Sequence, residues 1–326
     1  MSGPRFYLTD HVFEDLIIEQ DLIAAAGGSL AFDPGATNPE QWLSGAVTAI
    51  AVVTCHAVLP ADFIERLQEC RVIARYGVGI DNVDLRAATK AGIPVTHVPD
   101  YCVDEVSTHA MALLLALNRG VARLDRSTRA GNWSVQAAGD VHRIRGQILG
   151  LVGFGRNARA VAEKAQAFGL VVLAYDPFLS SDVVAASGVL PVGMDELLER
   201  SDYLSLHAPL SEQTHHVINT PNLERMKSSA YLINTARGGL VDIDALRGAL
   251  ENGVIAGAAL DVFETEPPGE ALDLENVIVT PHSAFASVES VVELKRLTIL
   301  RALEVLDGER PAVLANPEVW DRRRRS

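Results

Sequence analysis

The sequence predicts an α/β protein with two domains, each built on a doubly wound parallel sheet. Short runs of β-branched residues alternate with segments of helical period along nearly the whole chain, and they fall into two separate series. The chain has 326 residues, and because hydrophobic cores stop growing near roughly 250–300 residues, a single core is not expected. Apolar residues make up 48% of the chain, which matches an ordinary globular protein.

The first series predicts one α/β unit at the start of the chain. Strands are predicted at residues 5–8, 49–53, 72–74 and 95–98. Helical segments at residues 61–69 and 84–91 separate some of these strands. A longer amphipathic segment, residues 104–117, then leads into a polar stretch rich in arginine, where the sheet pattern is absent. We interpret this region as a linker helix and a crossover.

The second series predicts a larger sheet. Its strands are predicted at residues 147–152, 171–175, 203–206, 230–233, 255–260 and 277–279. After them, residues 288–306 carry apolar side chains at helical spacing, which predicts a long helix packed on a large surface. Such a helix could return to the first unit.

The charge of the chain argues against nucleic acid as a partner. Lys and Arg total 28 against 42 for Asp and Glu, which gives a formal net charge of −14. An acidic surface repels phosphate backbones and anionic lipids. The basic block at residues 322–325 is interpreted as a solvated tail.

Cysteine usage and hydropathy favour a cytoplasmic protein. Cys55, Cys70 and Cys102 form no short-spaced metal pattern, and an odd number of cysteines argues against a disulfide framework. No metal site is therefore expected. The longest apolar run, residues 110–117, is much shorter than the roughly 18 residues of a membrane span. The N-terminus lacks the apolar stretch of a secretory signal, so no membrane segment is expected either.

A glycine-rich turn predicts a dinucleotide site in the second unit. Gly153-Phe154-Gly155-Arg156-Asn157-Ala158 follows a predicted strand and opens a predicted helix. Glycines permit a tight turn and close approach to a pyrophosphate, and the helix N-terminus favours the anion. Asp176 ends the next strand, 23 residues after Gly153, close to the offset of a carboxylate that binds the adenosine ribose. Pro177, Phe178 and Leu179 follow Asp176, so no arginine directly after Asp176 is available to bind a 2′-phosphate. NAD is therefore favoured over NADP.

Polar groups also follow three later strands. Arg237 stands beside two glycines, Asp261 and Glu266 flank an acidic loop, and His282 follows the last strand. Open α/β sheets bind ligands at the carboxyl ends of their strands. Taken singly, these groups could be a loop salt bridge, a solvated acidic loop and a structural histidine.

Taken together, these segments resemble the signature motifs of the D-isomer-specific 2-hydroxyacid dehydrogenase family. The resemblance runs through most of the chain, in the family's order and approximate spacing. Its motifs are Tyr76-Gly77-Val78-Gly79-Ile80-Asp81-Asn82-Val83-Asp84, the turn from Gly153 to Ala158, Asp176, His207-Ala208-Pro209-Leu210 with Thr214, Thr235-Ala236-Arg237-Gly238-Gly239, the stretch from Asp261 to Pro267, and Thr280-Pro281-His282.

The resemblance implies a particular domain organisation. Residues 1–104 and 289–326 would form a flavodoxin-like substrate domain, and residues 105–288 an inserted Rossmann domain that binds NAD. The family is typically dimeric through the nucleotide domain, so a homodimer is expected.

The resemblance also implies roles in hydride transfer to a 2-keto acid. Arg237 would pair with the substrate carboxylate through its planar fork. His282 would protonate the carbonyl oxygen, and would act as a base in the reverse direction. Glu266 would hydrogen-bond the other imidazole nitrogen and so favour the charged ring.

Two sets of binding residues complete the expected site. The cofactor-binding set is Gly153, Phe154, Gly155, Arg156, Asn157, Ala158, Asp176, Pro177, His207, Ala208, Pro209, Thr214, Thr235, Ala236, Arg237, Asp261, His282 and Ala284. The substrate-binding set is Tyr76, Val78, Gly79, Arg237, His282 and Phe285. Within them, the amides of Val78 and Gly79 would hold the carboxylate, and Asp261 with the Ala236 carbonyl would meet the nicotinamide amide.

The sequence departs from the commonest family pattern after His282. Many members have Ile-Gly-Gly there, whereas this chain has Ser283-Ala284-Phe285. This is similar to the subgroup that contains the C-terminal binding protein corepressors. Phe285 could narrow the substrate cavity or simply pack in the core.

The leading interpretation is an NAD-dependent enzyme acting on a small acid such as glyoxylate or hydroxypyruvate. An NAD(H)-sensing protein like the corepressors is the alternative from another class. Formate oxidation is disfavoured, because that branch carries Gln where this chain has Glu266. D-3-phosphoglycerate oxidation without a regulatory domain stays open, because two of four arginines could converge beside the cleft and bind a phosphate; the alternative is that all four are plain surface residues. They are Arg71, Arg75, Arg143 and Arg145.

Overall fold

The chain folds into two compact units, each with its own parallel sheet. The structure, a computed structural model, describes residues 3–269 and 274–324. One unit contains the chain up to Tyr101 together with the residues from Ser287 onwards, and the other runs from Cys102 to Ala286. The predicted α/β fold class is confirmed.

The first unit contains a five-stranded sheet. Its strands are β1 (Arg5–Leu8), β2 (Ser29–Phe32), β3 (Ala51–Thr54), β4 (Val72–Arg75) and β5 (Val95–Thr96). All neighbours are parallel, in the order β2-β1-β3-β4-β5. This is the strand order of flavodoxin-like sheets.

Five helices surround this sheet. They are α1 (Ile17–Ala25), α2 (Pro39–Ala46), α3 (Ala61–Arg66), α4 (Leu85–Lys90) and α12 (Val288–Asp307). Helix α12 packs against α1 and β4, so the end of the chain returns to the unit in which it began. A capping box between Ser287 and Ser290 starts this helix, and Gly308, at φ +85°, ends it.

The basic C-terminal block is not a solvated tail, so that interpretation was wrong. Arg323 stacks on Trp320, with its guanidinium carbon 3.7 Å from the ring centroid. Arg324 donates to the carbonyl oxygens of Ala91 (2.7 Å) and Leu67 (2.5 Å). Ala91 and Leu67 are the C-cap residues of α4 and α3. Carbonyl groups at helix C-termini lack helical hydrogen-bond donors, so the arginine caps two helices. Arg325 lies outside the described residues.

The second unit contains a seven-stranded sheet. Its strands are β6 (Ile148–Val152), β7 (Val171–Tyr175), β8 (Leu190–Pro191), β9 (Tyr203–Leu206), β10 (Tyr231–Asn234), β11 (Gly257–Leu260) and β12 (Val277–Val279). All neighbours are parallel, in the order β12-β11-β10-β9-β6-β7-β8. This is the Rossmann order with one added strand. The order reverses between β6 and β9, the position where such sheets bind their ligands.

The part of this unit that the structure describes contains seven α-helices. They are α5 (Val103–Arg119), α6 (Val121–Arg129), α7 (Arg156–Ala167), α8 (Ser181–Ala185), α9 (Met194–Arg200), α10 (Thr220–Leu223) and α11 (Ile243–Glu251). Helix α7 buries Ala158, Val161, Ala162 and Ala165, which lie on one face at helical spacing. This face packs closely on α5 and so fixes the direction in which the N-terminus of α7 points.

The strands predicted from sequence agree with the observed ones to within two residues at either end. The two-residue strand β8 was not predicted, and neither was strand β2. Its four residues, Ser-Leu-Ala-Phe, include no β-branched residue, and it lies at the sheet edge with side chains that are exposed or only half-buried. Among the described residues, no helix has the length and hydropathy that a bilayer span needs.

Candidate active site

A glycine-rich turn joins β6 to α7. Gly153 has φ +87°, a conformation that glycine adopts without a steric penalty. A Cβ there would lie 2.9 Å from the backbone nitrogen of Ala208. At Gly155 an added Cβ meets nothing within 4 Å. The turn is therefore closed behind Gly153 and open at Gly155, where the helix N-terminus can receive an anion.

Asp176 holds this turn in place. Its Oδ2 accepts the amide hydrogen of Phe154 at 2.9 Å, and its Oδ1 accepts that of Phe178 at 2.9 Å. The Phe154 side chain is fully buried, so only its backbone is available to the expected cofactor site. Ala158 is also fully buried, as expected for the small residue that lets helix and strand pack closely. Arg156 and Pro177 are exposed, and Asn157 is half-buried.

The segment after β9 lines the other side of the switch point. The His207 amide donates to Val152 at 2.8 Å, which joins this segment to β6. The ring nitrogen Nε2 of His207 lies 2.9 Å from the Ser205 hydroxyl, and burial lowers the pKa of His207 to about 4. The ring is therefore neutral at neutral pH. Ala208 beside it is buried.

The hydroxyl of Thr214 closes the loop that follows. It donates to the carbonyl oxygen of Pro209 at 2.6 Å and accepts the Ser211 amide hydrogen at 2.8 Å. Pro209 itself is exposed. Thr214 thus shapes the backbone at the edge of the predicted cofactor site.

A buried asparagine shapes the loop that carries Arg237. Asn234 is fully buried at the end of β10. Its Nδ2 donates to the Arg237 carbonyl at 2.8 Å, and its Oδ1 accepts the Ala236 amide hydrogen at 3.0 Å. The Arg237 guanidinium donates to the Ala236 carbonyl at 2.7 Å. Sequence reasoning missed Asn234, although an asparagine directly after an apolar strand is a typical turn residue.

His282 and Glu266 form a direct pair. Nδ1 of His282 lies 2.8 Å from Oε2 of Glu266. The other carboxylate oxygen accepts the Phe263 amide hydrogen at 3.0 Å. Both side chains are about one third exposed, at 29% and 33%. The ring of Phe285 meets that of His282 edge-on, with centroids 6.5 Å apart.

Asp261 anchors the loop that carries His282. Its carboxylate is fully buried and accepts the Thr280 hydroxyl at 2.5 Å and the amide hydrogens of Ser283 and Ala284, each at 2.9 Å. His109 Nε2 lies 3.6 Å from the same carboxylate. In this structure both oxygens of Asp261 are thus engaged by residues 280–284 rather than directed to a cofactor amide. His109 is a further residue that sequence reasoning missed.

In the first unit, the Tyr76 side chain belongs to the core. It is 2% exposed and its hydroxyl donates to Glu19 at 3.0 Å. Burial and the Glu19 charge raise the pKa of Tyr76 well above its usual range. Any contribution of Tyr76 to substrate binding is therefore made through its backbone.

The loop that follows Tyr76 presents backbone donors. Among the described residues, no protein acceptor faces the amides of Val78 and Gly79. His97 Nδ1 lies 2.8 Å from the Val78 carbonyl. Backbone amides without a protein acceptor can donate to an anionic ligand.

Most of the arginines considered for phosphate binding lie near the amino ends of strands, whereas such sheets bind ligands at the carboxyl ends. Arg71 precedes β4 and donates to the Leu306 carbonyl at 3.1 Å. Arg145 precedes β6 and lies beside Gly169, before β7; Arg143 is exposed nearby. Only Arg75, of these four, stands at the carboxyl end of a strand.

Comparison with known proteins identifies the family. Residues 111–284 match the family described as D-isomer specific 2-hydroxyacid dehydrogenase, NAD binding domain. The chain belongs to this family. It is an NAD-dependent oxidoreductase that interconverts 2-keto and 2-hydroxy acids.

Curated relatives with different names match this chain. A glyoxylate reductase of Korarchaeum cryptofilum is 42% identical over 267 residues, which cover 80% of each chain. A D-3-phosphoglycerate dehydrogenase of Methanocaldococcus jannaschii is 35% identical over 308 residues, which cover 94% of this chain and 58% of the relative.

Solved structures of the family have the same fold. D-lactate dehydrogenase from Aquifex aeolicus, complexed with NAD and lactic acid, superposes with a TM-score of 0.83 at 28% identity and covers 98% of each chain. A glyoxylate reductase from Paecilomyes thermophila gives 0.85 at 27% identity, covering 98% of this chain and all of the other.

The geometry fits the NAD of this dehydrogenase family. The space around Gly155 is open at a helix N-terminus, and Asp176 stands at the end of the neighbouring strand. The Thr235 hydroxyl is buried without a hydrogen-bond partner among the described residues. Because an unsatisfied buried hydroxyl is costly, a ligand that bonds it would stabilise this loop.

Proposed function

We propose that this protein reduces small 2-keto acids with NADH, with glyoxylate and hydroxypyruvate as the leading substrates and His282, Glu266 and Arg237 as the catalytic residues. The observation that carries the proposal is the 2.8 Å contact between His282 and Glu266. Relatives named glyoxylate reductase at 42% and 40% identity support the substrate class.

The three residues lie after neighbouring parallel strands. Arg237 follows β10, Glu266 lies in the loop after β11, and His282 follows β12. The carboxyl ends of parallel strands lie at one edge of the sheet, where such folds bind ligands. This arrangement supports a shared role for the three side chains.

His282 acts as the general acid. Bound NADH supplies the hydride to the carbonyl carbon. The proton for the developing alkoxide comes from Nε2 of His282, because Nδ1 is held by Glu266. The contact with Glu266 also fixes the orientation of the ring during the transfer.

Arg237 binds and orients the acid. Its guanidinium is planar and permanently charged, so it can hold a carboxylate through two parallel hydrogen bonds. To do so it exchanges the Ala236 carbonyl, its present acceptor at 2.7 Å, for the substrate. In the first unit, we propose that the amides of Val78 and Gly79 also bind the carboxylate.

The two units divide these tasks. We propose that residues 105–288 form the NAD-binding domain, and residues 1–104 with 289–326 the substrate domain. The match of residues 111–284 to an NAD-binding domain supports this division.

Steady-state turnover tests the proposal. NADH oxidation is measured with glyoxylate, hydroxypyruvate, pyruvate, phosphohydroxypyruvate and longer 2-keto acids. We expect one of the small acids to reach a kcat/KM above about 10⁴ M⁻¹s⁻¹. A preference for phosphohydroxypyruvate would favour the phosphoglycerate reaction, and tight NADH binding without turnover would favour an NAD(H) sensor.

We further propose a homodimer formed through the second unit. Trp133 is 92% exposed, and Val135 and Val121 are 76% and 54% exposed. Large exposed apolar residues close in sequence are typical of protein interfaces. We expect Trp133→Ala to shift the mass measured by light scattering towards a monomer, whereas Phe168→Ala, which changes another exposed aromatic residue, leaves it unchanged.

We also propose a cytoplasmic location. Cys55 and Cys70 are buried thiols, and burial raises the pKa of each to about 12. Thiols kept in the core suit a reducing compartment. Cell fractionation followed by immunodetection tests the location.

A further inference from the structure

Two imidazoles and one carboxylate cluster beside the active-site loops. Nε2 of His215 lies 3.2 Å from Oε1 of Glu264, and Nε2 of His216 lies 2.9 Å from the same oxygen. The two rings stack, with centroids 3.9 Å apart and planes 23° apart. The three donor atoms all lie within 4.8 Å of one another. We call these three residues the His-His-Glu cluster.

The backbone holds the members of the cluster close together. The His216 amide donates to the Gly239 carbonyl at 2.8 Å. At Gly238, an added Cβ would lie 1.9 Å from the carbonyl carbon of Phe263, so only glycine permits this approach to the loop of Glu264. Three loops therefore meet at the cluster.

His216 has an unusual backbone conformation. Its φ of +51° lies in the left-handed region, which residues other than glycine adopt rarely and mostly at turns or functional sites. This conformation accompanies the approach of both imidazoles to one carboxylate oxygen.

We propose that the His-His-Glu cluster binds a divalent first-row transition-metal ion, with Zn²⁺ as the representative case. Zinc takes imidazole nitrogen at about 2.0–2.1 Å and carboxylate oxygen at about 2.0–2.2 Å, which places neighbouring tetrahedral ligands about 3.3 Å apart. The two observed nitrogen–oxygen separations, 3.2 and 2.9 Å, lie close to this value, and all three donor atoms lie within 4.8 Å of one another. Two nitrogen donors favour such a metal over Mg²⁺ or Ca²⁺.

The exposure of the cluster permits entry of the ion. The side chains of His215, His216 and Glu264 are 53%, 34% and 40% exposed. Among the described residues, Glu264 forms ion pairs only with the two histidines. No described lysine or arginine therefore competes with a metal ion for this carboxylate. Water would complete the coordination.

The bound ion would cross-link the loops of the active site. Glu264 lies two residues before Glu266, and the His216 segment pairs with the loop that follows Arg237. The site itself uses neither NAD nor substrate. Metal binding can therefore be tested independently of the proposed function.

Titration calorimetry of the full chain with ZnCl₂ tests the proposal. We expect one ion per chain in the wild type, and an affinity at least about tenfold weaker in His215→Asn and in His216→Asn. His142→Asn, which changes an exposed histidine elsewhere in the same unit, should bind like the wild type. His282→Gln, which removes the imidazole–carboxylate pair with Glu266, should also keep the ion.

Thermal unfolding provides a control for folding. Asparagine tolerates a positive φ, so His216→Asn should melt like the wild type without metal. Zn²⁺ should raise the Tm of the wild type, His142→Asn and His282→Gln by mass action, but not that of the cluster variants. Wild-type affinity in both cluster variants, or loss of the ion in His282→Gln, overturns the proposal.

Discussion

Glu266 contacts His282 through one carboxylate oxygen and the backbone of its own loop through the other. The Oε2 atom lies 2.8 Å from Nδ1 of His282, and Oε1 accepts the Phe263 amide hydrogen at 3.0 Å. Because both oxygens are held, the carboxylate fixes the orientation of the imidazole. In the proposed reaction, the second ring nitrogen, Nε2, serves as the acid.

Removal of the imidazole should abolish most of the catalysis. We expect His282→Gln to lower kcat for 2-keto acid reduction by about 10²–10⁴-fold, the usual contribution of a positioned general acid. The more conservative Glu266→Gln keeps the size of the side chain but removes its charge, and should lower kcat less. Stopped-flow turnover at saturating NADH measures both. Equal effects would argue against separate roles for the acid and the residue that orients it.

Two glycine variants distinguish the effect of backbone strain at the turn from the effect of filling the space for the cofactor. Gly153→Ala should lower the free energy of unfolding by about 1–3 kcal/mol, because an alanine at φ +87° is strained and meets the backbone of Ala208. Gly155→Ala has room for its Cβ and should keep the wild-type stability. Since that methyl group occupies space at the helix N-terminus, NADH affinity should still fall.

Urea unfolding and NADH fluorescence titration measure the two quantities. If Gly155→Ala bound NADH as the wild type does, the pyrophosphate would have to lie elsewhere than at this turn.

Neutralising Asp261 should displace the loop that carries His282. Asp261→Asn keeps one acceptor oxygen, but its amide group cannot accept the hydrogen bonds now made to the other oxygen. We expect a loss of about 1–3 kcal/mol in the free energy of unfolding and a lower kcat. Thr280→Val, which removes one donor to the same carboxylate, should have a smaller effect on both. A fully stable and active Asp261→Asn would contradict the anchoring role.

Burial of His207 predicts an acid-sensitive fold. Its pKa falls from 6.5 to about 4 on folding, so between these values the unfolded chain binds more protons than the folded one. The stability contributed by the neutral ring is present above pH 6.5 and is lost as the pH falls towards 4. Linkage gives a loss of about 2 kcal/mol between pH 7 and pH 5.

The variant His207→Asn isolates this contribution. It lacks the titrating ring, so its free energy of unfolding should fall less between pH 7 and pH 5 than that of the wild type. His97, whose pKa burial also lowers, titrates in both proteins and cancels in the difference. Parallel pH dependence in the two proteins would show that His207 is solvated in the folded state.

The sequence predicted those parts of the site that depend on local pattern. The glycine turn, Asp176 and the residues after β10, β11 and β12 could be found because period and spacing place them at strand ends. Asn234 and His109 could not be found in this way, because their roles depend on contacts made after the chain has folded. The environment of Asp261 was missed for the same reason, since its donors lie 19 to 23 residues further along the chain.

Edge elements and surface charges were predicted least well. Strand β2 has no β-branched residue and is supported by one neighbouring strand only. The charge of Arg324 suggested solvent, whereas the unpaired carbonyls at two helix ends provide better partners. Such partners come from tertiary packing, which a charge pattern does not report.

Phe285 should set the length of the preferred substrate. Its ring meets that of His282 edge-on at 6.5 Å, so a bulky side chain on the keto acid would compete for the same space. We expect Phe285→Ala to raise kcat/KM for a longer 2-keto acid relative to glyoxylate by about tenfold, the usual effect of one or two methylene groups in an apolar pocket. Phe168→Ala, at the opposite end of α7 from the glycine turn, should leave the ratio unchanged. If both substrates lost activity equally in Phe285→Ala, the ring would support the loop of His282 and would not select the substrate.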